Sequence, residues 1–278
     1  MSESIKQLLE WATEQLYSNS CSARLDSEIL LAHCLDKNRS YLLTWPEQIP
    51  TIEQQECLRE LVRRRLQPQP VAYLVGHREF YSMQLITTPA TLVPRPETEL
   101  LVDTVLELIE GRSSVDILEL GTGTGAIALA LKKHAPAAQI SATDISAEAL
   151  AVARANAHKH QLEIEFIQSD WYRQTESRLF DLIVSNPPYI AATDPYLSQG
   201  DLPAEPRQAL SSGETGLEAL ELIINDATGH LKPAGWIVLE HGYDQQSSVT
   251  ALLQDAHFKD IRTLRDFNHL PRLTLARI

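Results

Sequence analysis

The sequence predicts an α/β fold: a mostly parallel sheet, closed at its end by an antiparallel hairpin, behind a small N-terminal helical domain. Three observations carry this expectation. Beyond residue 114 short apolar runs alternate with stretches of helical periodicity, as in a parallel sheet covered on both faces. The last two strand-like runs, Ile261 to Arg265 and Arg272 to Ala276, have only Asp266-Phe267-Asn268-His269-Leu270-Pro271 between them, too little for a crossover helix. The first quarter shows helical spacing alone.

From the N-terminus, Ile5, Leu8, Leu9, Trp11, Ala12 and Leu16 mark a helix over 4–17, and Leu25, Ile29, Leu30 and Leu31 mark a second over 23–35. Thr51-Ile52-Glu53-Gln54 reads as a capping box opening a third helix through Leu58, Leu61 and Val62 to Leu66. Pro68 and Pro70 break it. Phe80 to Leu92, with Met83, Leu85 and Ile86 around polar positions, suggests a linking hairpin. The expected division is a helical domain over 1–72, a hairpin linker over 73–92 and a larger domain over 93–278.

After Pro94-Arg95-Pro96 a helix starts, with Glu97 and Glu99 in its first turn; proline and acids at a helix start are structurally sufficient there. Val115–Leu120, Gln139–Thr143, Ile164–Gln168, Phe180–Ser185 and Trp236–Glu240 read as strands, with helices near 125–134, 147–160, 216–231 and 245–256. Residues 190–215, with Asp194, Asp201, Glu205 and Arg207, lack periodicity, and a loop of that length is expected to form a substrate rim.

Composition narrows the function. No run approaches the roughly 18 apolar residues of a membrane span, and Met1-Ser2-Glu3-Ser4 does not open a signal peptide, so a cytoplasmic protein is expected. Cys21, Cys34 and Cys57 are widely spaced and odd in number, which suits idle thiols better than a disulfide framework or zinc, and no metal site is expected among the histidines. With 24 Lys and Arg against 37 acidic residues, a duplex-gripping surface is disfavoured. The basic run Arg63-Arg64-Arg65 reads as a solvated helix face.

Chemistry is expected at the strand ends. Glu119-Leu120-Gly121-Thr122-Gly123-Thr124-Gly125 follows the first strand of the alternating region and opens a helix, a setting in which glycines let a ligand approach the backbone. Gly121, Gly123 and Ala126 also satisfy the dinucleotide pattern, so this loop alone does not choose a cofactor. Asp144 ends the next strand where a carboxylate meets ribose hydroxyls, while Ser146 is better placed to cap the helix beginning at Ala147. Trp171, after Ser169 and Asp170, either flanks an adenine ring or packs locally; Asp170 is a candidate for the adenine amino group. Asn186-Pro187-Pro188-Tyr189 ends the fourth strand with a side-chain carbonyl and a peptide carbonyl in a turn stiffened by two prolines, followed by an aromatic ring. Held acceptors of that kind suit a planar amino group, whether amide or base.

Taken together, the glycine loop, Asp144, Ser169 to Trp171 and Asn186 to Tyr189, each at the end of a successive strand, resemble a class I S-adenosylmethionine-dependent methyltransferase, a Rossmann-like fold. Along nearly its whole length the chain resembles the bacterial release factor glutamine methyltransferase family. The likeness rests on Pro94 to Glu99, Gly121 to Gly125, Ser169 to Trp171, Ser185 to Tyr189, Glu205-Pro206-Arg207 with Ala209-Leu210, and Leu239-Glu240-His241-Gly242, all in the family's order. The resemblance implies methylation of a release factor glutamine within Gly-Gly-Gln. It assigns Asn186, Pro187 and Tyr189 to catalysis and Asn186, Pro187, Pro188 and Tyr189 to the substrate amide. To the cofactor it gives Gly121, Thr122, Gly123, Thr124, Gly125, Asp144, Trp171 and Asn186. S-adenosylmethionine would leave as S-adenosylhomocysteine. The partners expected are release factors, with no direct nucleic acid, no membrane and a monomer in the free state. Glu240 sits at another strand end, from which it could assist proton removal, though a structural role is the expectation. A sister enzyme acting on a ribosomal protein, an adenine N6 methyltransferase and a non-enzymatic nucleotide-binding module are the alternatives. Base flipping needs a basic surface that this acidic chain does not advertise.

Overall fold

The computed structural model describes residues 3–175 and 178–278. The chain divides into two compact units, residues 1–77 with 198–204, and residues 78–197 with 205–278.

The first unit is helical: α1 (Ile5–Leu16), α2 (Ala23–Leu35), α3 (Arg39–Thr44), α4 (Ile52–Arg65) and α5 (Val71–Val75). Capping boxes open α1, between Ser4 and Gln7, and α4, between Thr51 and Gln54, where the latter was expected. Leu8, Leu9 and Leu16 of α1 pack with Leu30 and Leu31 of α2 and Leu58 and Val62 of α4. The basic run departs from expectation. Arg63 is exposed and pairs with Glu60, but Arg65 is buried and bonds Asp26 at 2.9 Å and Asp201 at 2.6 Å. Ser20 and Ser22 donate to the same Asp26 carboxylate, so this buried charge is paired on every side the fold offers. Cys34 and Cys57, far apart in sequence, bring their sulfurs to 2.6 Å.

The second unit begins with a hairpin, β1 (His77–Phe80) and β2 (Met83–Ile86), earlier than the alternation suggested. Tyr81 and Ser82 both take positive φ, 49° and 57°, which is the two-residue turn whose twist suits adjacent strands, and that turn rather than side-chain alternation sets the pairing. After α6 (Glu99–Leu108) come β3 (Asp116–Leu120), α7 (Ala126–His134), β4 (Gln139–Asp144), α8 (Ala147–His160), β5 (Glu165–Gln168) and β6 (Phe180–Ser185). Then follow α9 (Arg207–Leu210), α10 (Glu218–Ala227), β7 (Leu231–Glu240), α11 (Gln246–Asp255), β8 (Lys259–Arg265) and β9 (Pro271–Arg277). Helix α10 stops short of the expected 231 because β7 starts there, ahead of an irregularity around Ala234, whose φ is 65°.

The sheet order is β5-β4-β3-β6-β7-β9-β8, parallel through β7 and antiparallel at β9 and β8. Ile117, Leu182, Val184 and Val238 face one core with α6 and α7; Leu118, Ile183, Ile237 and Leu239 face the other with α10 and α11. Both faces are therefore dry, which is why these strands read as continuous apolar runs. The chain winds outward from β3 through β5, then returns to place β6 on the other side of β3. Parallel sheets open a ligand crevice at such a reversal, beyond the carboxyl ends of the strands.

Candidate active site

Register brings the expected residues together. Leu120 pairs with Thr143 on one side and Ser185 on the other, and Ser185 pairs with Leu239. The next residues along those strands, Gly121, Asp144, Asn186 and Glu240, consequently emerge side by side at the same edge.

Gly121, Gly123 and Gly125 all have positive φ, between 55° and 81°, so the turn from β3 into α7 is one that side-chain-bearing residues enter only under strain. At Gly125 an added Cβ would stand 3.1 Å from Leu129 and 3.3 Å from Ala153, whereas at Gly123 it would meet nothing within 4 Å. One glycine serves packing and the other leaves room over the backbone. Asp144 fastens the loop, its Oδ2 accepting from the Gly123 amide at 2.9 Å and its Oδ1 from the Ser146 amide at 2.9 Å. Ser146 caps α8 through the Ala149 amide, as expected. Thr122 and Thr124 are buried, and the Thr122 hydroxyl is spent on Glu119.

Beneath the loop Glu119 is buried, with Oε2 accepting from the Thr122 hydroxyl at 2.7 Å and the Ala128 amide at 3.1 Å. Burial pushes its carboxyl from 4.5 up to about 8. Burial also raises Asp144, against the backbone amides that favour its charge. Trp171 adopts a left-handed conformation, φ 49°, and its ring comes within 3.8 Å of the Cβ position at Gly121, beside the loop. Asp170 instead turns to solvent and pairs with Arg173 at 3.2 Å.

The Asn186 to Tyr189 turn is held from several directions. Asn186 Nδ2 donates to Thr98 Oγ1 at 3.1 Å. Gln245 Nε2 donates to the Tyr189 carbonyl at 2.9 Å, and an added Cβ on Gly216 would come within 2.5 Å of that same oxygen. Gly216 is therefore fixed by close approach as well as by its φ of 80°. Pro187 is buried, while Asn186, Pro188 and Tyr189 are half-buried. Behind them Glu240 is buried, with Oε2 lacking a hydrogen-bond partner among the described residues. Burial lifts Glu240 from 4.5 to about 7, while the Thr98 and Tyr189 hydroxyls and Arg272 favour its charged form. Burial, then Glu240, raises the Tyr189 phenol.

Sequence reading missed Thr98. It had taken Pro94 to Glu99 as a helix start, and Pro96–Thr98 does form a 3-10 turn ahead of α6. The segment does more: Arg95 bonds the buried Glu205 at 2.5 Å, whose other oxygen accepts from the Val93 amide at 3.0 Å. Residues 190–215 are likewise more ordered than their composition suggests. Asp194 caps the Tyr196 amide, Arg207 donates to the Ala192 carbonyl, and Ile190 bridges Ser211. Among the described residues no cluster of metal-ligating side chains occurs.

A strand-order reversal with a glycine loop on one side and a proline-stiffened turn on the other, together with a match to the methyltransferase small domain over residues 96–215, define an α/β methyltransferase. Residues 7–76 match the PrmC N-terminal domain. The release factor glutamine methyltransferase of Shewanella oneidensis is 46% identical, over 98% of this chain and 96% of its own, and that of Pseudomonas aeruginosa is 45% identical, over 92% and 93%. The chain belongs to the release factor glutamine methyltransferase family. Among solved structures, a T. thermophilus 16S rRNA N2 G1207 methyltransferase in complex with AdoMet and guanosine matches with a TM-score of 0.55 at 19% identity, over 72% of this chain and 49% of that one; the likeness is one of fold.

Proposed function

We propose that the protein transfers a methyl group from S-adenosylmethionine to the side-chain amide nitrogen of the Gly-Gly-Gln glutamine in peptide chain release factors. The observation that carries the acceptor side is Asn186: its Nδ2 is committed to Thr98, which leaves Oδ1 as the end that accepts. The cofactor fits the residues opposite. Gly121, Thr122, Gly123, Thr124 and Gly125 would hold its amino-acid part against open backbone, Asp144 would accept from the ribose hydroxyls, Trp171 would lie against adenine, and Asn186 would border the methyl donor. Bound there, it supplies a methyl group on a sulfonium and leaves as S-adenosylhomocysteine.

An amide nitrogen is a weak nucleophile because its lone pair is shared with the carbonyl, so positioning must lower the barrier. Asn186 Oδ1 and the Pro187 carbonyl accept its two N–H groups, which fixes the amide plane and favours the positive charge that develops as the new N–C bond forms. Pro188 keeps the turn stiff and Tyr189 packs against the amide plane. The surplus proton leaves once nitrogen carries the methyl group and is far more acidic, so no strong base is required. Release factors place this reaction in the cytoplasm, and we take the free enzyme to be a monomer; no helix among the described residues is long and apolar enough to cross a membrane.

The test is incubation with labelled S-adenosylmethionine and, in parallel, release factor, ribosomal protein and DNA. Label should enter the release factor and vanish when its Gly-Gly-Gln glutamine is replaced. Label in ribosomal protein or DNA instead would overturn the assignment.

A further inference from the structure

A carboxamide presents two ends of nearly equal size, so the pocket around Asn186 cannot choose its orientation by shape. Hydrogen bonding must choose. Thr98 Oγ1 receives Nδ2 at 3.1 Å, yet a hydroxyl could as readily donate to Oδ1, which would turn the NH₂ group toward the substrate and set donor against donor. What removes that option is the destination of the Thr98 proton. The Thr98 hydroxyl favours the charged form of the neighbouring Glu240 carboxyl, and Thr98 and Glu240 are 4% and 3% exposed, so water does not compete. With its proton turned toward that charge, Thr98 has only lone pairs to offer Asn186.

We infer that Thr98, backed by the Glu240 carboxylate, is a positioning residue that fixes the Asn186 carboxamide with Oδ1 toward the substrate amide. This rests on the reading of Asn186 as acceptor. The fold supports a stationary Thr98: the 3-10 turn bearing it closes through the Thr98 amide on the Arg95 carbonyl, and Arg95 is clamped on Glu205. Glu240 can act this way only while ionised. Around it stand Glu97 from the same turn, Tyr189 from the acceptor turn and Arg272 from β9; neighbouring His241 is directed elsewhere, to the Gly242 carbonyl and Thr274. Burial brings the Glu240 carboxyl to about 7, so protonation would release the Thr98 hydroxyl and let Asn186 turn over as pH falls through that value.

The experiment compares full-length wild type with Thr98→Val, Thr98→Ser, Glu240→Gln and Asn186→Ala, measuring kcat and KM for release factor, the S-adenosylmethionine Kd, and the pH profile. Thr98→Val should lower kcat by about 30- to 100-fold with cofactor Kd changed by less than about twofold, and Thr98→Ser should recover to within about threefold of wild type. Wild-type activity should rise with pH through about 7, and Glu240→Gln, which cannot titrate and carries no charge to hold the Thr98 proton, should lose that limb and stay near the low-pH level of wild type. A Thr98→Val enzyme within about twofold of wild type, a Thr98→Ser enzyme as impaired as Thr98→Val, or an unchanged pH limb in Glu240→Gln would overturn the inference. Full activity in Asn186→Ala would sink the underlying reading, whereas an inactive Asn186→Ala beside a fully active Thr98→Val sinks this inference alone.

Discussion

The two ends of the parallel sheet treat charge in opposite ways. At the amino ends of β3, β6 and β7, Asp116, Asp181, Lys232 and Arg112 form a paired cluster: Lys232 bonds Asp116 at 2.5 Å and Asp181 at 2.8 Å, and Arg112 bonds Asp181 at 2.5 Å. Burial pushes the Asp181 carboxyl up, but the Asp116 amide, Lys232 and Arg112 outweigh it and hold it below its ordinary value. At the carboxyl ends, Glu119, Asp144 and Glu240 are carboxyls without a salt-bridge partner among the described residues, each raised by burial. One end is paired with cations, whereas at the other Glu119 and Asp144 are held by hydroxyl and amide donors alone. Acids without a cation suit a cationic or hydroxyl-rich ligand where one is within reach, as at the half-buried Asp144, and the desolvation of all three is a standing cost that the paired end does not carry.

Substitutions should separate the two ends. The largest effect is expected from Asn186→Ala, which should lower kcat by about 100- to 1,000-fold while calorimetric Tm stays near wild type. Next, Asp144→Ala should weaken S-adenosylmethionine binding about 10- to 100-fold by titration calorimetry, since it loses the fastening of Gly123 and, in the proposed cofactor placement, an acceptor for the ribose.

Glu119 gives a stability effect with a definite sign. Its folded pKa lies above the unfolded one, so the folded state holds a proton that the unfolded state releases between pH 4.5 and about 8. That contribution is complete below 4.5 and is lost as pH rises through about 8. Urea denaturation should show wild type losing on the order of a few kcal/mol relative to Glu119→Gln between pH 5 and 8. An identical pH dependence in the two proteins would show that Glu119 is ionised in the fold.

The smallest effect belongs to the paired end. Asp181→Asn should leave kcat within about twofold of wild type and cost about 1 kcal/mol by denaturation. Here the lowered pKa makes the contribution present above 3.8 and lost as pH falls below it, opposite to Glu119. A large loss of activity in Asp181→Asn would mean the ends are not separate in function.

The carboxyl end was the more legible one because its residues follow strands whose apolar runs declare themselves, and sheet register alone sets Gly121, Asp144 and Asn186 abreast. Thr98 was not legible, since it meets Asn186 across 88 residues and its own segment already had an adequate explanation as a helix start. Arg65 misled for a related reason. Helical position sends Arg63, two residues before, to solvent and Arg65 inward, but an inward arginine is credible only when its partners are known, and these lie 39 and 136 residues away. The hairpin at β1 and β2 was displaced because its turn residues, Tyr81 and Ser82, carry none of the usual glycine or asparagine signal for positive φ.

The ion network of Arg65 also bears on how the chain is made. Asp26 has already been synthesised when Arg65 is added, but Asp201 follows 136 residues later, which at ribosomal speed is a delay of about 7 to 27 s. During that interval the helical unit lacks residues 198–204, and Arg65 has one carboxylate where the finished protein gives it two. An N-terminal fragment ending at residue 77 would remain in that unfinished condition permanently.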